Sequence, residues 1–135
     1  MEDNPAFAAF PMPLNQHPST IQYSEGIFVG YRGYEKNGTI PQFPFGFGLS
    51  YTAFSYSDLN IEPTQKKHDG EDPDLVKVSF TVTNTGKCAG AEIAELYVGE
   101  KNPTVPRPIK ELKGFKKVFL QPGESRSVTL DLDQR

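Results

Sequence analysis

The stretch LVKVSFTVTNTG, residues 75–86, constrains the fold more than any other part of the chain. Val76, Val78, Phe80 and Val82 share one face of an extended backbone, and Lys77, Ser79, Thr81 and Thr83 share the other. One apolar side and one wet side at a period of two describes a half-buried antiparallel strand; a helix would smear the same residues around its axis. Asn84-Thr85-Gly86 closes the strand with turn residues. SVTLDLD repeats the pattern, with Val128, Leu130 and Leu132 inward and Ser127, Thr129 and Asp131 outward. In AGAEIAELYVG, residues 89–99, Ala94, Leu96 and Val98 share a face, while Ile93 and Tyr97 ask for burial or a partner on the opposite one. A helix competes for AEIAEL because Ala, Glu and Leu favour it, but the flanking glycines and Tyr97-Val98 favour a strand.

Two further strands are expected, in YTAFSYSDLNI (51–61) and in IKELKGFKKVFL (109–120), the latter with an irregularity at Gly114. QPGES reads as a tight turn, and EPTQKKHDGEDPD (62–74) and KNPTVPRP (101–108) as exposed loops. Twelve Gly and twelve Pro among 135 residues agree with short strands and many turns. The expected fold is all-β: an antiparallel β-sandwich of immunoglobulin-like kind. Only five strands are found, whereas such sandwiches use about seven. DLDQR follows directly on a strand, so the sandwich is expected to be incomplete at that end, with an apolar face left uncovered.

The front of the chain differs. Of the 16 Phe and Tyr residues, 12 lie at or before Tyr56. MEDNPAFAAFPMPLNQHPSTIQ (1–22) carries four prolines and no period, and reads as an extended arm. In YSEGIFVGYRGY (23–34), Ile27, Val29 and Tyr31 alternate with Phe28, Gly30 and Arg32, which predicts a short strand apolar on both faces. Asn37-Gly38 then signals a hairpin or turn. FPFGFGLSYTAF (43–54) packs five aromatic residues into twelve positions yet holds two glycines and a proline, so it has no means of folding on its own. The domain division expected is an arm at 1–50 and a sandwich at 51–135.

Several functions are disfavoured. A net charge of -3 offers no footprint for nucleic acid or an anionic membrane. No apolar run approaches the roughly 20 residues of a membrane span, and MEDNPAFAAF lacks the basic and apolar regions of a secretory signal. Cys88 is the only cysteine, so no intrachain disulfide or multi-cysteine metal site forms. It follows a turn, with no histidine near it in sequence, and reads as a bystander. His17 and His68 sit apart in polar loops, which gives no converging metal ligands. FGFGL lacks the lysine and following helix of a phosphate loop. The sequon Asn37-Gly38-Thr39 is uninformative. The lysines of KELKGFKK (110–117) read as the exposed side of a strand, and no cofactor is implied.

YSEGIFVGYRGYEKNGTIPQFPFGFGLSYTAF, followed by VSFTVTNTGKCAGAEIAELYVG, PRPIKELKGFKKVFLQPGES and SVTLDLD, resembles the β-glucosidases of glycoside hydrolase family 3. The matching part of that family leaves the catalytic domains and enters a fibronectin type III-like C-terminal domain. The resemblance covers most of the chain. Gly33 stands where the family usually has a large aromatic, and the family's later Gly-rich strands are absent. So is the S-D-W motif of its catalytic nucleophile, along with the domain that supplies the general acid.

The resemblance implies a parent hydrolase that cleaves glycosidic bonds with two carboxylates about 5–5.5 Å apart. Glu25 and Glu35 are the candidates here, and both read better as structural. No catalytic, substrate-binding or metal residue is therefore assigned to this chain. Phe28, Tyr31, Arg32, Tyr34, Phe43, Phe45, Phe47 and Tyr51 are expected to form a domain interface with the catalytic domains of the same polypeptide. Arg32 is expected to make a junction salt bridge or a cation–π contact. The alternative is a module binding polysaccharide or cell-wall polymer. It is weakened because the later strands offer only Tyr97 as an exposed aromatic while their phenylalanines fit the core. A free-standing enzyme is the third possibility.

Overall fold

In the computed structural model, residues 24–64 and 75–132 are described. The arm expected at 1–22, His17, His68 and most of the expected 62–74 loop lie outside the described residues. In chain order the elements are α1 (Tyr31–Lys36), β1 (Phe54–Thr64), β2 (Leu75–Asn84), β3 (Gly90–Val98), β4 (Glu111–Leu120) and β5 (Ser125–Leu132). The five strands expected from Tyr51 onward are all present. β1, β2 and β5 form one antiparallel sheet in that spatial order, and β3 and β4 form the second sheet. The described residues divide into two compact units. One comprises 24–47 and 98–111, and the other 48–64, 75–97 and 112–132.

The sandwich unit is held by its inward-facing residues. Val82, Ala94, Val118, Leu120 and Val128 form the buried cluster, drawn from β2, β3, β4 and β5, with Phe54, Phe80 and Leu130 packed against it. The register sets this up: Phe80 pairs with Val128 and Val78 with Leu130, so the alternating apolar positions of β2 and β5 point the same way. Burying each large side chain contributes roughly 1.5–3 kcal/mol relative to exposure.

Asn84, at the end of β2, is the one fully buried polar residue of the described core. Its Oδ1 accepts from the Thr52 hydroxyl (2.6 Å) and from the Gly86 N–H (3.0 Å). Its Nδ2 donates to the carbonyls of Cys88 (2.8 Å) and Leu120 (3.1 Å). Its own N–H and C=O bond to Glu124 and Gly123 of the β4–β5 turn. One side chain thus ties the start of β1, the β2–β3 turn and the end of β4 to one another. That turn and the QPGES turn, where Gly123 has φ 75°, are both where the sequence places them.

Three expectations need correction. The stretch 23–34 is not a strand. Its described part is a turn, closed by Phe28 N–H to the Glu25 carbonyl, followed by α1. Gly30, at φ 62° and ψ −134°, turns the chain at the helix start in a conformation open to glycine. The turn expected at Asn37-Gly38 is present, and it stops the helix. Gly38, at φ 63°, donates to the Glu35 carbonyl and Thr39 donates to that of Tyr34, which is a Schellman closure. Six residues of helix are marginal in isolation. Within the same unit, α1 is braced by Arg32–Glu111 (3.5 Å) and Glu35–Lys110 (3.0 Å).

β1 also runs three residues into the expected 62–74 loop, through Glu62, Pro63 and Thr64. Pro63 is tolerated there because β1 is an edge strand. β4 runs through Gly114 without a break. A register slip that the sequence did not announce lies in β1, between Ser57 and Asn60, where Asp58 takes φ 56°. Lastly, Phe115 and Phe119 do not fit the core; they are 66% and 54% exposed. They share odd-numbered positions of β4 with Lys113 and Lys117, and the buried Val118 and Leu120 point the other way.

Candidate functional site

The sequence-predicted interface residues come together in part. Tyr31, in the first turn of α1, sets its ring 5.6 Å from that of Phe45. Phe43 and Phe47 stand 4.9 Å apart, across the turn closed by Phe47 N–H to the Pro44 carbonyl (3.0 Å). The Lys36 ammonium lies 3.8 Å over the Phe28 ring. Arg32 sits 5.8 Å from the ring of its neighbour Tyr31 and pairs with Glu111 at 3.5 Å. Tyr34 is half-buried. Tyr51 belongs to the sandwich unit, apart from the other seven.

Pairing does not bury these rings. Phe43, Phe45 and Phe47 are 62%, 59% and 53% exposed, and Tyr51 is 98% exposed. Ile40 and Leu49 extend the same exposed run at 91% and 96%. Among the described residues, Glu25 Oε2, Arg32 Nε and Glu35 Oε2 are buried with no hydrogen-bond partner. Exposed, mutually packed rings such as Phe43 and Phe47 make this stretch a candidate contact surface. Of the two carboxylates the sequence offered, Glu25 and Glu35, the second is engaged by Lys110 at 3.0 Å.

Sequence reasoning missed a second feature. An open cleft of about 370 Å³ runs between the sheets, lined by Tyr56 and Leu59 of β1, Val78 and Phe80 of β2, and Glu95 and Leu96 of β3. Tyr56 packs 5.9 Å from Phe80 and donates its hydroxyl to Glu92 at 2.8 Å, across the gap between sheets. Burial and the Glu92 carboxylate push the Tyr56 hydroxyl above the ordinary phenol range, so it stays protonated as the donor. Tyr97, the exposed aromatic expected on these strands, is half-buried and donates to Glu95 at 2.7 Å. For Phe115 and Phe119 the missed signal was parity, which sets them on the face of β4 opposite Val118 and Leu120. Nothing in the residue pattern marks the β1 bulge that opens the cleft.

Residues 92–135 match the family described as fibronectin type III-like domain. The chain is 49% identical over 135 residues to thermostable β-glucosidase B of Acetivibrio thermocellus, which covers 93% of this chain and 17% of that protein. It is 47% identical to probable β-glucosidase I of Aspergillus fumigatus, over 100% of this chain and 16% of that protein. Among solved structures, β-glucosidase 3B of Thermotoga neapolitana in complex with glucose superposes with a TM-score of 0.81 at 39% identity, covering 98% of this chain and 17% of that one. The GH3 β-glucosidase of Bifidobacterium adolescentis superposes with a TM-score of 0.82 at 39% identity, covering 98% and 18%. The chain therefore spans about a sixth of the length of the relatives it matches. It carries the fibronectin type III-like domain that matches the C-terminal region of glycoside hydrolase family 3 β-glucosidases.

Proposed function

We propose that this chain is the structural, domain-bracing part of a β-glucosidase-like hydrolase and performs no chemistry itself. The whole enzyme would cleave terminal β-linked sugars by double displacement through an enzyme-bound glycosyl intermediate. Residues 1–50 serve as the junction arm and 51–135 as the sandwich. Phe28, Tyr31, Arg32, Tyr34, Phe43, Phe45, Phe47 and Tyr51 meet the catalytic domains of the same polypeptide. The observation that carries this reading is the exposed run from Phe43 to Tyr51, in which Phe43 and Phe47 pair and still face solvent. Covering three such phenylalanines contributes several kcal/mol, at roughly 1.5–3 kcal/mol for each ring fully buried, enough to hold two domains as one body. The purified chain is expected to release no nitrophenol from a nitrophenyl β-glucoside. Turnover that survives repeated purification would overturn the reading.

One observation favours the polysaccharide-binding alternative: Phe115 and Phe119 lie exposed on the outer side of β4, near Lys113 and Lys117. Exposed rings on a polar strand suit stacking on sugar faces. Retention of the chain on cellulose or xylan, abolished by Phe115→Ala, is the outcome that would favour it over the bracing role.

A further inference from the structure

We propose that Asn37-Gly38 is a deamidation site, held shut by the stop of α1 and opened when the ion pairs that brace this helix are lost. The inference stands independently of the function proposed above.

Of the six asparagines in the chain, Asn37 alone precedes a glycine. In such a pair the glycine backbone nitrogen, once a solvent base has taken its proton, attacks the asparagine Cγ. The new N–Cγ bond closes a five-membered succinimide, the Cγ–Nδ2 bond breaks, and ammonia leaves with a proton from solvent. Water then opens the ring at either carbonyl and leaves aspartate or isoaspartate. Glycine favours the first step because no side chain shields its nitrogen. Access is open here. Asn37 and Gly38 are both exposed, and nothing lies within 4 Å of where a Gly38 Cβ would sit.

Conformation, not access, holds the pair. The ring closes only when the Gly38 nitrogen swings round to eclipse the Asn37 Cβ. At ψ −2° it eclipses the Asn37 nitrogen instead, a different branch of the same Cα. The Gly38 N–H is also engaged, donating to the Glu35 carbonyl at 3.2 Å, and the Thr39 N–H donates to the Tyr34 carbonyl at 2.9 Å. A hydrogen-bonded amide gives up its proton mainly through local opening. Turning Asn37 into the reactive geometry breaks both of these bonds.

The lock is tied to the start of β4. Glu35, whose carbonyl accepts from Gly38, has its carboxylate on Lys110 at 3.0 Å, and Arg32 pairs with Glu111 at 3.5 Å. A six-residue helix has little stability of its own, so these pairs help set how often its end opens. The reaction runs one way. Either product puts a carboxylate at the helix C-terminus, where the dipole disfavours it. Isoaspartate also adds a methylene to the backbone that carries Gly38 and Thr39 back to their carbonyls. Deamidation thus removes the closure that had prevented it, and α1, with Tyr31, Arg32 and Tyr34, loses its stop.

The test incubates the 135-residue chain at mildly alkaline pH and follows conversion of Asn37 by peptide mass spectrometry, with the same chain unfolded in guanidinium chloride as the reference. Conversion in the folded chain is expected to be about tenfold slower, since the reactive form is reached only by opening of the helix end. Lys110→Ala, at a half-exposed position, should raise the folded rate about threefold, in line with the strength of a surface ion pair. Arg126→Ala, which breaks an ion pair in the sandwich, should leave it unchanged. Folded and unfolded chains converting at one rate would overturn the proposal. So would a folded rate indifferent to Lys110→Ala, and so would equal acceleration by Lys110→Ala and Arg126→Ala.

Discussion

Asn84→Ala is expected to lower the free energy of unfolding by about 3 kcal/mol or more, read by urea titration of the purified chain. The reason is the number of groups left behind. The side chain is fully buried and makes four hydrogen bonds, to Thr52, Gly86, Cys88 and Leu120. A buried donor or acceptor stripped of its partner costs about 1–3 kcal/mol. The Leu120 carbonyl bond is the fully buried one and is the hardest for water to replace. The other three are partly buried, which sets the expectation near 3 kcal/mol and not at the sum of four losses. Asn60→Ala supplies the control. Asn60 is exposed and its side chain bonds only to Glu62 among the contacts described, so its loss should stay within about 0.5 kcal/mol. Equal effects from the two variants would show that Asn84 does not tie the sandwich together.

The second large effect is expected at Leu120→Ala, at about 2–5 kcal/mol in the same titration. Leu120 is the largest side chain with no exposure, and Val82, Ala94, Val118 and Val128 share its cluster. A cavity there sits where both sheets meet, and the short strands around it leave little freedom to collapse inward. Phe119→Ala, one residue away, removes more atoms from a position 54% exposed and should cost less. If Phe119→Ala proved the more damaging, the face assignment of β4 would be wrong. Because Asn84 bonds the Leu120 carbonyl, the losses at Asn84 and Leu120 should not add in the double variant.

Much of this architecture is legible in the residues. Val76 to Val82 and Val128 to Leu132 show their inward faces by simple alternation, and the register between β2 and β5 then aligns them. Turns at 84–86 and 121–125 are marked by their glycine, asparagine and proline content. What is not legible depends on contacts between distant segments. Ile27 and Val29 alternate as a strand would, yet Gly30 and Gly38 bound a six-residue helix that needs Glu111 and Lys110, some 80 positions later, to brace it. The β1 bulge at Asp58 has no local glycine to announce it. Phe115 and Phe119 were legible by parity, but a general preference for buried phenylalanine hid them. The residues of the candidate interface follow from a family resemblance joined to an aromatic count, and their exposure follows only from the fold.

The most direct measurement of the central claim is hydroxyl-radical footprinting of Phe43, Phe45, Phe47 and Tyr51. It should be made once in the 135-residue chain and once with the chain joined to the upstream domains of a family 3 β-glucosidase. The account predicts ready oxidation of all four rings in the chain alone and about tenfold slower oxidation in the joined protein. Equal oxidation in the two would contradict it.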